Sequence, residues 1–335
     1  MTAQLFFFLL ILSISAKLPS FHLDPSLVTI SGISSGGFMA VQMHFAYSSI
    51  IQGSAIIAGG PYGCALNNPA IALTACMSSP DFIPLKTLIL TMEGLEKTGL
   101  IDPIGNIKNQ KVYLFSGTED TVVNSGVMKQ LEAMYRSFGA QITTEFNISA
   151  EHSFPTENYG NLCVTLAEPY INNCNYNAAF EAFKVFYGID RLKPPIQSLI
   201  ENVISFDQSD YYSILSSFHS KGYLYLPESC RKGTLCGLHI ALHGCEQTLN
   251  DISDTFVKHV GLNELAEANN FIVLYPQIER SYTIPFNPKG CWDWWGYSDL
   301  QLAAGRYLTK DGVQIDALIQ MIKDLGINGK ELKKT

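Results

Sequence analysis

A serine framed by glycines, between a β-branched run and an apolar run, constrains this 335-residue chain more than any other feature in it. Leu27, Val28, Thr29 and Ile30 lead into Gly32-Ile33-Ser34-Ser35-Gly36, and Phe38, Met39, Ala40, Val41 and Met43 follow. The first group favours a strand and the second a buried helix, so only a sharp turn fits between them. In the pattern G-x-S-x-G such a turn lifts the serine hydroxyl clear of the helix N-terminus, and the glycines relieve the crowding on either side. The frame selects Ser34, not Ser35.

Strand and helix signals alternate along the rest of the chain. A buried strand running into a glycine loop is expected at residues 53–60 and further strands at 111–117 and 143–148, with an amphipathic helix over 126–138. The second half repeats the theme, with strands at 222–227, 238–244 and 271–276, a helix from about 254 to 269, and a final helix from about 311 to 325. Such alternation predicts an α/β fold with a mostly parallel central sheet flanked by helices. Lys193 to Ser205, with Pro194-Pro195, is the candidate connection between the halves. With 47% hydrophobic and only 16% charged residues the chain can bury a large core, so residues 17–335 are expected to form a single domain. A net charge of -8 argues against nucleic acid or an anionic membrane as partner.

The first 16 residues have the shape of a signal peptide: an apolar segment from Leu5 to Leu12, then Ser13, Ser15 and Ala16 before Lys17. The apolar run is shorter than the ~20 residues that a membrane span needs. Export, to the extracellular space or a periplasm, is the expected fate, with no stable membrane association after cleavage. Eight cysteines in an exported chain read as disulfides. Proximity pairs Cys64 with Cys76, Cys163 with Cys174 and Cys230 with Cys236, which leaves Cys245 for Cys291. No C-x-x-C or clustered His/Cys spacing suggests zinc.

A serine nucleophile needs a base, and the base needs an orienting carboxylate. In α/β-hydrolases the chain order is serine, acid, histidine, each in a loop after a strand. Asp120, in Ser116-Gly117-Thr118-Glu119-Asp120, and His152, in Ala150-Glu151-His152-Ser153, meet that order. Glu119 competes with Asp120, and Asp102 before Pro103 reads as a turn residue. His22, His44, His219, His239 and His259 fall in helices, strands or tails. His243 is the rival base, although a His-Gly pair at a strand end belongs more naturally to an oxyanion loop.

In the usual α/β-hydrolase that His-Gly strand precedes the nucleophile; here Leu242-His243-Gly244-Cys245 follows Ser34 by about two hundred residues. Joining the final helix to Asp24-Pro25-Ser26-Leu27 would restore the usual helix, turn, strand and elbow. The order therefore predicts a circularly permuted α/β-hydrolase, opened where termini lie close together at the surface.

Residues 32–37 (GISSGG), 116–120 (SGTED), 152–156 (HSFPT), 242–247 (LHGCEQ) and 287–296 (NPKGCWDWWG) together resemble, in order, the blocks of the extracellular polyhydroxybutyrate depolymerases. The resemblance is to the circularly permuted, single-domain kind and spans most of the chain after residue 16. It implies Ser34 as nucleophile, Asp120 as orienting acid and His152 as base. It also implies that the backbone N–H groups of Ser35 and Cys245 form the oxyanion hole, and that Trp292 lines the substrate cleft. A Cys245–Cys291 bridge would then pin the oxyanion loop to the tryptophan segment. The implied activity is hydrolysis of a polyester or hydroxyalkanoate oligomer through an acyl-enzyme, with no cofactor or metal. A linker and separate polymer-binding domain, which many relatives carry, are not expected. The same triad would serve a secreted esterase acting on other short-chain or polysaccharide-linked esters, whereas a hydrolase-like surface-binding protein would keep the fold without turnover.

Overall fold

The computed structural model describes residues 17–299 and 305–327, so the expected signal segment lies outside the described residues. The strands, in chain order, are β1 (Leu23–Ile33), β2 (Gly53–Ile57), β3 (Lys111–Phe115), β4 (Gln141–Glu145), β5 (Phe154–Thr156), β6 (Asn161–Leu162), β7 (Ile171–Asn173), β8 (Val203–Asp207), β9 (Lys221–Tyr225), β10 (Cys236–Leu242) and β11 (Phe271–Tyr275). Eight of them form one sheet in the order β4-β3-β2-β1-β10-β11-β9-β8, and β5-β7-β6 form a second, small one. From β4 across to β11 every pairing is parallel; β9 and β8 are added antiparallel.

The central strands are apolar on both faces because both faces are covered. Val28, Ile30, Ile56, Val112, Leu114, Leu238, Ile240 and Leu274 share one core with the elbow helix Ser35–Ala46, the helix Ser125–Ser137 and the final helix Val313–Asp324. Ala55, Ile57, Tyr113, Phe115, Ala241 and Val273 point the other way, into a core shared with the helices Ala178–Tyr187 and Leu262–Asn269. The period-2 alternation of each strand thus feeds two separate hydrophobic clusters.

The first strand in the chain lies in the middle of the sheet, between β2 and β10, and the ends of the described chain meet beside it. The Phe21 N–H donates to the Leu325 carbonyl at 2.9 Å, and the Tyr211 hydroxyl joins Leu18 N–H to Asp324. Continuing from the final helix into β1 would need only a short turn. This is the permuted order that the sequence predicts.

Three expectations differ from the structure. The helix expected over 254–269 is two, Thr255–His259 and Leu262–Asn269, because Gly261 between them adopts a left-handed φ of 79°. The stretch 193–205 is not wholly a connection, since β8 starts at Val203. It is an edge strand of mixed polarity that lies only on β9, so no clean alternation marks it. The strand expected over 143–148 is β4, which ends at Glu145; Phe146 and Ile148 are apolar but follow the point where the chain leaves the sheet.

Candidate active site

Four of the expected residues sit just past the carboxyl ends of parallel strands, where open α/β sheets place their sites. Ser34 follows β1, Asp120 follows β3, His152 follows β4 and Cys245 follows β10. Backbone hydrogen bonds continue the sheet beyond the strand ends and tie these loops together. Ser34 N–H donates to Ile57 O, Ala58 N–H to Phe115 O, Ser116 N–H to Glu145 O and Thr118 N–H to Ile148 O, at 2.9 to 3.1 Å.

Ser34 has φ 55° and ψ -122°, the strained turn that the glycine frame implies. Gly36 permits it: a Cβ there would collide with the carbonyls of Leu242 and His243 on the neighbouring strand. Gly117 does the same for the acid loop, since a Cβ would strike the Ala150 carbonyl. The elbow and the acid loop are close backbone approaches, and the sequence motifs record that closeness.

His152 and Asp120 form a pair with Nδ1 to Oδ2 at 2.9 Å, and both side chains are buried. Asp120 Oδ1 accepts from Val122 N–H at 2.9 Å and Val123 N–H at 2.7 Å, which fixes the carboxylate from behind. With Nδ1 donating, Nε2 of His152 is left as an acceptor. Ser34 and His152 both line one cavity of about 800 Å³, although no hydrogen bond joins them among the described residues. Such contacts are commonly long before substrate binds.

The competitors are engaged elsewhere. Glu119 is exposed, and among the described residues its carboxylate meets only the Thr118 hydroxyl. Asp102 accepts from Ser49 and pairs with Lys310 at 2.7 Å. His243 is fully buried, donating from Nδ1 to Gly244 O and accepting Ile278 N–H at Nε2; burial lowers its pKa to about 4. It holds the loop that follows β10. His44 and His239 are likewise buried, with pKa values lowered by desolvation to about 4 and about 3.

On the electrophilic side, the N–H groups of Ser35 and Cys245 have no backbone partner among the described residues. Around them the loop is pinned. Gln247 Oε1 accepts Gly244 N–H at 2.6 Å while its Nε2 donates to Pro169 O, and Glu246 N–H donates to Lys289 O. All four disulfides pair as proximity suggests, and Cys245–Cys291 joins this loop to the tryptophan segment.

The tryptophans differ from expectation. Trp292 does not line the cavity: its ring is 0% exposed, packed edge-on against Phe218 and tilted against His243. Trp294 and Trp295 form the wall instead, Trp294 stacked on Phe38 at 4.1 Å. The Trp292 backbone N–H donates to Ser35 Oγ at 3.2 Å, and the indole lies inward behind the wall. Its Nε1–H has no acceptor among the described residues. Spacing alone could not tell which of three tryptophans in four residues would face the cleft.

Glu151, Gln247 and Asp293, to which no motif in the sequence gives a role, are all buried and all hydrogen-bonded to backbone around the cavity. A carboxylate directly before the candidate base was the one visible signal among them.

A sheet of this order, with a serine on a strained elbow and an acid-histidine pair opening on the same cavity, defines a circularly permuted α/β-hydrolase. Comparison with known proteins narrows the class. The chain is 39% identical over 313 residues to a poly(3-hydroxybutyrate) depolymerase of Delftia acidovorans, covering 92% of this chain and 61% of that protein, so it spans about three fifths of that relative's length. It is 37% identical over 327 residues to a polyhydroxybutyrate depolymerase of Talaromyces funiculosus, covering 93% of each. The solved structure of a PHB depolymerase from Penicillium funiculosum superposes with a TM-score of 0.83 at 35% identity, covering 92% of this chain and 98% of that one. A PHB depolymerase variant complexed with an R3HB trimer superposes with a TM-score of 0.81, also at 35% identity and with the same coverage. No family model matches the chain. The chain belongs to the polyhydroxybutyrate depolymerase family.

Proposed function

We propose that this protein is a secreted serine esterase that hydrolyses the ester bonds of poly(3-hydroxybutyrate) or its oligomers through an acyl-enzyme. The observation that carries the reading is Ser34, on its strained elbow, opening on the same cavity as a histidine already bonded to a buried aspartate. Ser34 Oγ attacks the ester carbonyl as His152 Nε2 takes its proton. Asp120 holds the imidazole in the tautomer that can accept it and stabilises the imidazolium that results. The tetrahedral oxyanion is held by the Ser35 and Cys245 N–H groups, each worth roughly 3 to 4 kcal/mol in such sites. His152 then gives its proton to the departing alkoxide oxygen as the C–O bond breaks, the alcohol leaves, and a water repeats the path to release the hydroxy acid. Among the described residues no cluster of three or more metal-ligating side chains is present.

The walls suit an apolar, ester-linked chain. Phe38, Trp294, Trp295 and Leu166 line the cavity, and Leu73 and Phe286 at its lining are 65% and 62% exposed. Tyr282 and Ile284, in the loop that carries Phe286, are exposed as well. So much apolar surface beside an active site is what an insoluble apolar substrate would cover. The four disulfides fit an oxidising compartment, and no helix of the described residues is long and apolar enough to cross a membrane.

The test compares Ser34→Ala with the parent on a short-chain nitrophenyl ester and on 3-hydroxybutyrate trimer. A fall of about 10⁴- to 10⁶-fold in kcat on both is expected. Equal rates from the two proteins would exclude Ser34. Activity of the parent on the nitrophenyl ester alone would remove the hydroxybutyrate reading and keep the esterase.

A further inference from the structure

Two carboxylates, not one, meet the loops that carry the candidate acid and base. Asp120 reaches across to the His152 ring. Glu151 reaches back from beside the histidine, and its Oε1 accepts three hydrogen bonds: from Thr121 N–H at 2.8 Å, from the Thr121 hydroxyl at 2.9 Å and from the His152 backbone N–H at 3.0 Å. Thr121 directly follows Asp120 and His152 directly follows Glu151, so one oxygen joins the chain at both members of the pair. Glu151 is 6% exposed, which keeps water from replacing these donors. Its own backbone is fixed in turn, since its N–H donates to Cys163 O and its carbonyl accepts the Ser153 hydroxyl. Cys163 is tied to Cys174 by a disulfide.

We propose that Glu151 is a positioning residue, whose carboxylate oxygen sets the separation and angle of the Asp120–His152 pair by clamping the acid loop to the base loop. The inference rests on the triad reading above. Without the clamp, the loops among the described residues share the Asp120–His152 bond itself and bonds lower down: Thr118 N–H to Ile148 O, Glu119 N–H to Ala150 O and a long, exposed bond from the Thr118 hydroxyl to the Ser149 hydroxyl at 3.4 Å. The imidazole can then swing about its attachment. A misplacement of about 1 Å in a catalytic group can cost roughly 100-fold in rate. Of the cavity lining, only Val122, Val123 and His152 belong to these two loops, and Asp120 Oδ1 holds the Val122 and Val123 N–H groups independently of Glu151, so binding should be spared.

The experiment measures kcat and KM of Glu151→Ala, Glu151→Gln, Thr121→Val and the Thr121→Val/Glu151→Ala pair on a soluble short-chain ester, well below each melting temperature, with Ser34→Ala as control. Glu151→Ala is expected to lower kcat by about 10- to 100-fold with KM within about threefold of the parent. Glu151→Gln keeps an acceptor oxygen in place and should restore kcat to within about threefold. Thr121→Val should show a smaller kcat loss, and the double variant should be no worse than Glu151→Ala alone, because both remove the same tie. A folded Glu151→Ala with parental kcat, a Gln variant as slow as the Ala variant, or additive losses would each overturn the clamp. If Glu151→Ala does not fold, Thr121→Val decides: a lower kcat at constant KM supports the clamp, and unchanged kcat overturns it. Full activity in Ser34→Ala would instead remove the triad reading beneath it.

Discussion

The charge-handling side of the cavity and its substrate wall are built by different means. Ser34, Asp120 and His152 stand at the ends of β1, β3 and β4, and backbone hydrogen bonds between neighbouring strands carry their positions. The wall from Glu279 to Ser298 has no strand beneath it among the described residues, apart from a single bridge between Ser281 and Asn287. Side chains hold it: Asn287 bonds both the N–H and the carbonyl of Cys291, and Gln314 bonds the Asp293 N–H and the Tyr297 hydroxyl. Asp293, fully buried, gathers the N–H groups of Trp295, Gly296, Tyr297 and Ser298. Sheet backbone fixes the atoms proposed to react, and replaceable side chains fix the surface that would choose the acyl chain. Substitutions in the two regions should therefore fail differently, in kcat on one side and in KM on the other.

The Cys245–Cys291 bridge is where the two regions meet, and removing it should have the largest effect. With both cysteines changed to alanine, the Cys245 N–H loses its tether, and kcat is expected to fall by about 10²- to 10³-fold, the cost of one oxyanion donor. Stability should drop by about 2 to 4 kcal/mol in a urea titration. Unchanged kcat in the folded double variant would show that Gln247 and His243 suffice to hold the donor, and the boundary between the regions would move to the disulfide.

Asp293→Asn probes the wall alone. Burial raises the pKa of the carboxyl while the N–H bonds and the Ser298 hydroxyl work against that rise. Asparagine keeps an acceptor for three N–H groups but turns an NH₂ toward the Ser298 N–H and hydroxyl, leaving buried donors unpaired. A loss of about 3 kcal/mol is expected, with KM raised and kcat within about threefold. A fall in kcat at constant KM would break the division between the regions. Trp294→Ala should do less: it removes one stacked ring from the wall, and KM is expected to rise about tenfold with kcat retained, near 1.4 kcal/mol of binding.

The same division explains what was legible in the sequence. Ser34, Asp120 and His152 are readable as candidates because a strand followed by a glycine-framed turn leaves a local pattern, and because chain order follows strand order. The permutation was readable for a similar reason, as Leu242-His243-Gly244 fell two hundred residues after the elbow instead of before it. The wall left no periodicity to read. Trp292, Trp294 and Trp295 are distinguished by where Asp293 and the disulfide bend the chain: the Asp293 carboxylate gathers nearby N–H groups, but the place of that bend is set by the disulfide to Cys245 and by the bonds of the Asp293 backbone to Gln314 and Gln42, all distant in sequence. Glu151 escaped because its partners, Thr121 and His152, lie on two loops whose approach is set by β3 and β4 pairing. The strands β5, β6 and β7 are two or three residues long, too short to show alternation at all.

The smallest expected effect lies deepest in the sheet. His239 on β10 is fully buried between the hydroxyls of Thr29 and Ser31 on β1, and burial lowers its pKa from 6.5 to about 3. The neutral ring is the folded form, whereas the unfolded chain takes up a proton near pH 6.5, so stability is full above that value and is lost as pH falls toward the folded pKa. Between pH 6.5 and 5.5 this one group should cost about 1 kcal/mol. His44 and His243, lowered to about 4, should add losses of the same sign. His239→Gln, which can still bond the two hydroxyls but cannot titrate, should flatten the pH dependence of urea unfolding by about 1 kcal/mol over that interval. The wall carries no histidine between Glu279 and Ser298, so acid between pH 6.5 and 5.5 should loosen the sheet that holds the proposed triad and not the surface that would bind the substrate. An unfolding slope in His239→Gln identical to the parent's would mean that the ring is already protonated or solvated in the fold, and the sheet would lose its claim to be the drier and more rigid of the two regions.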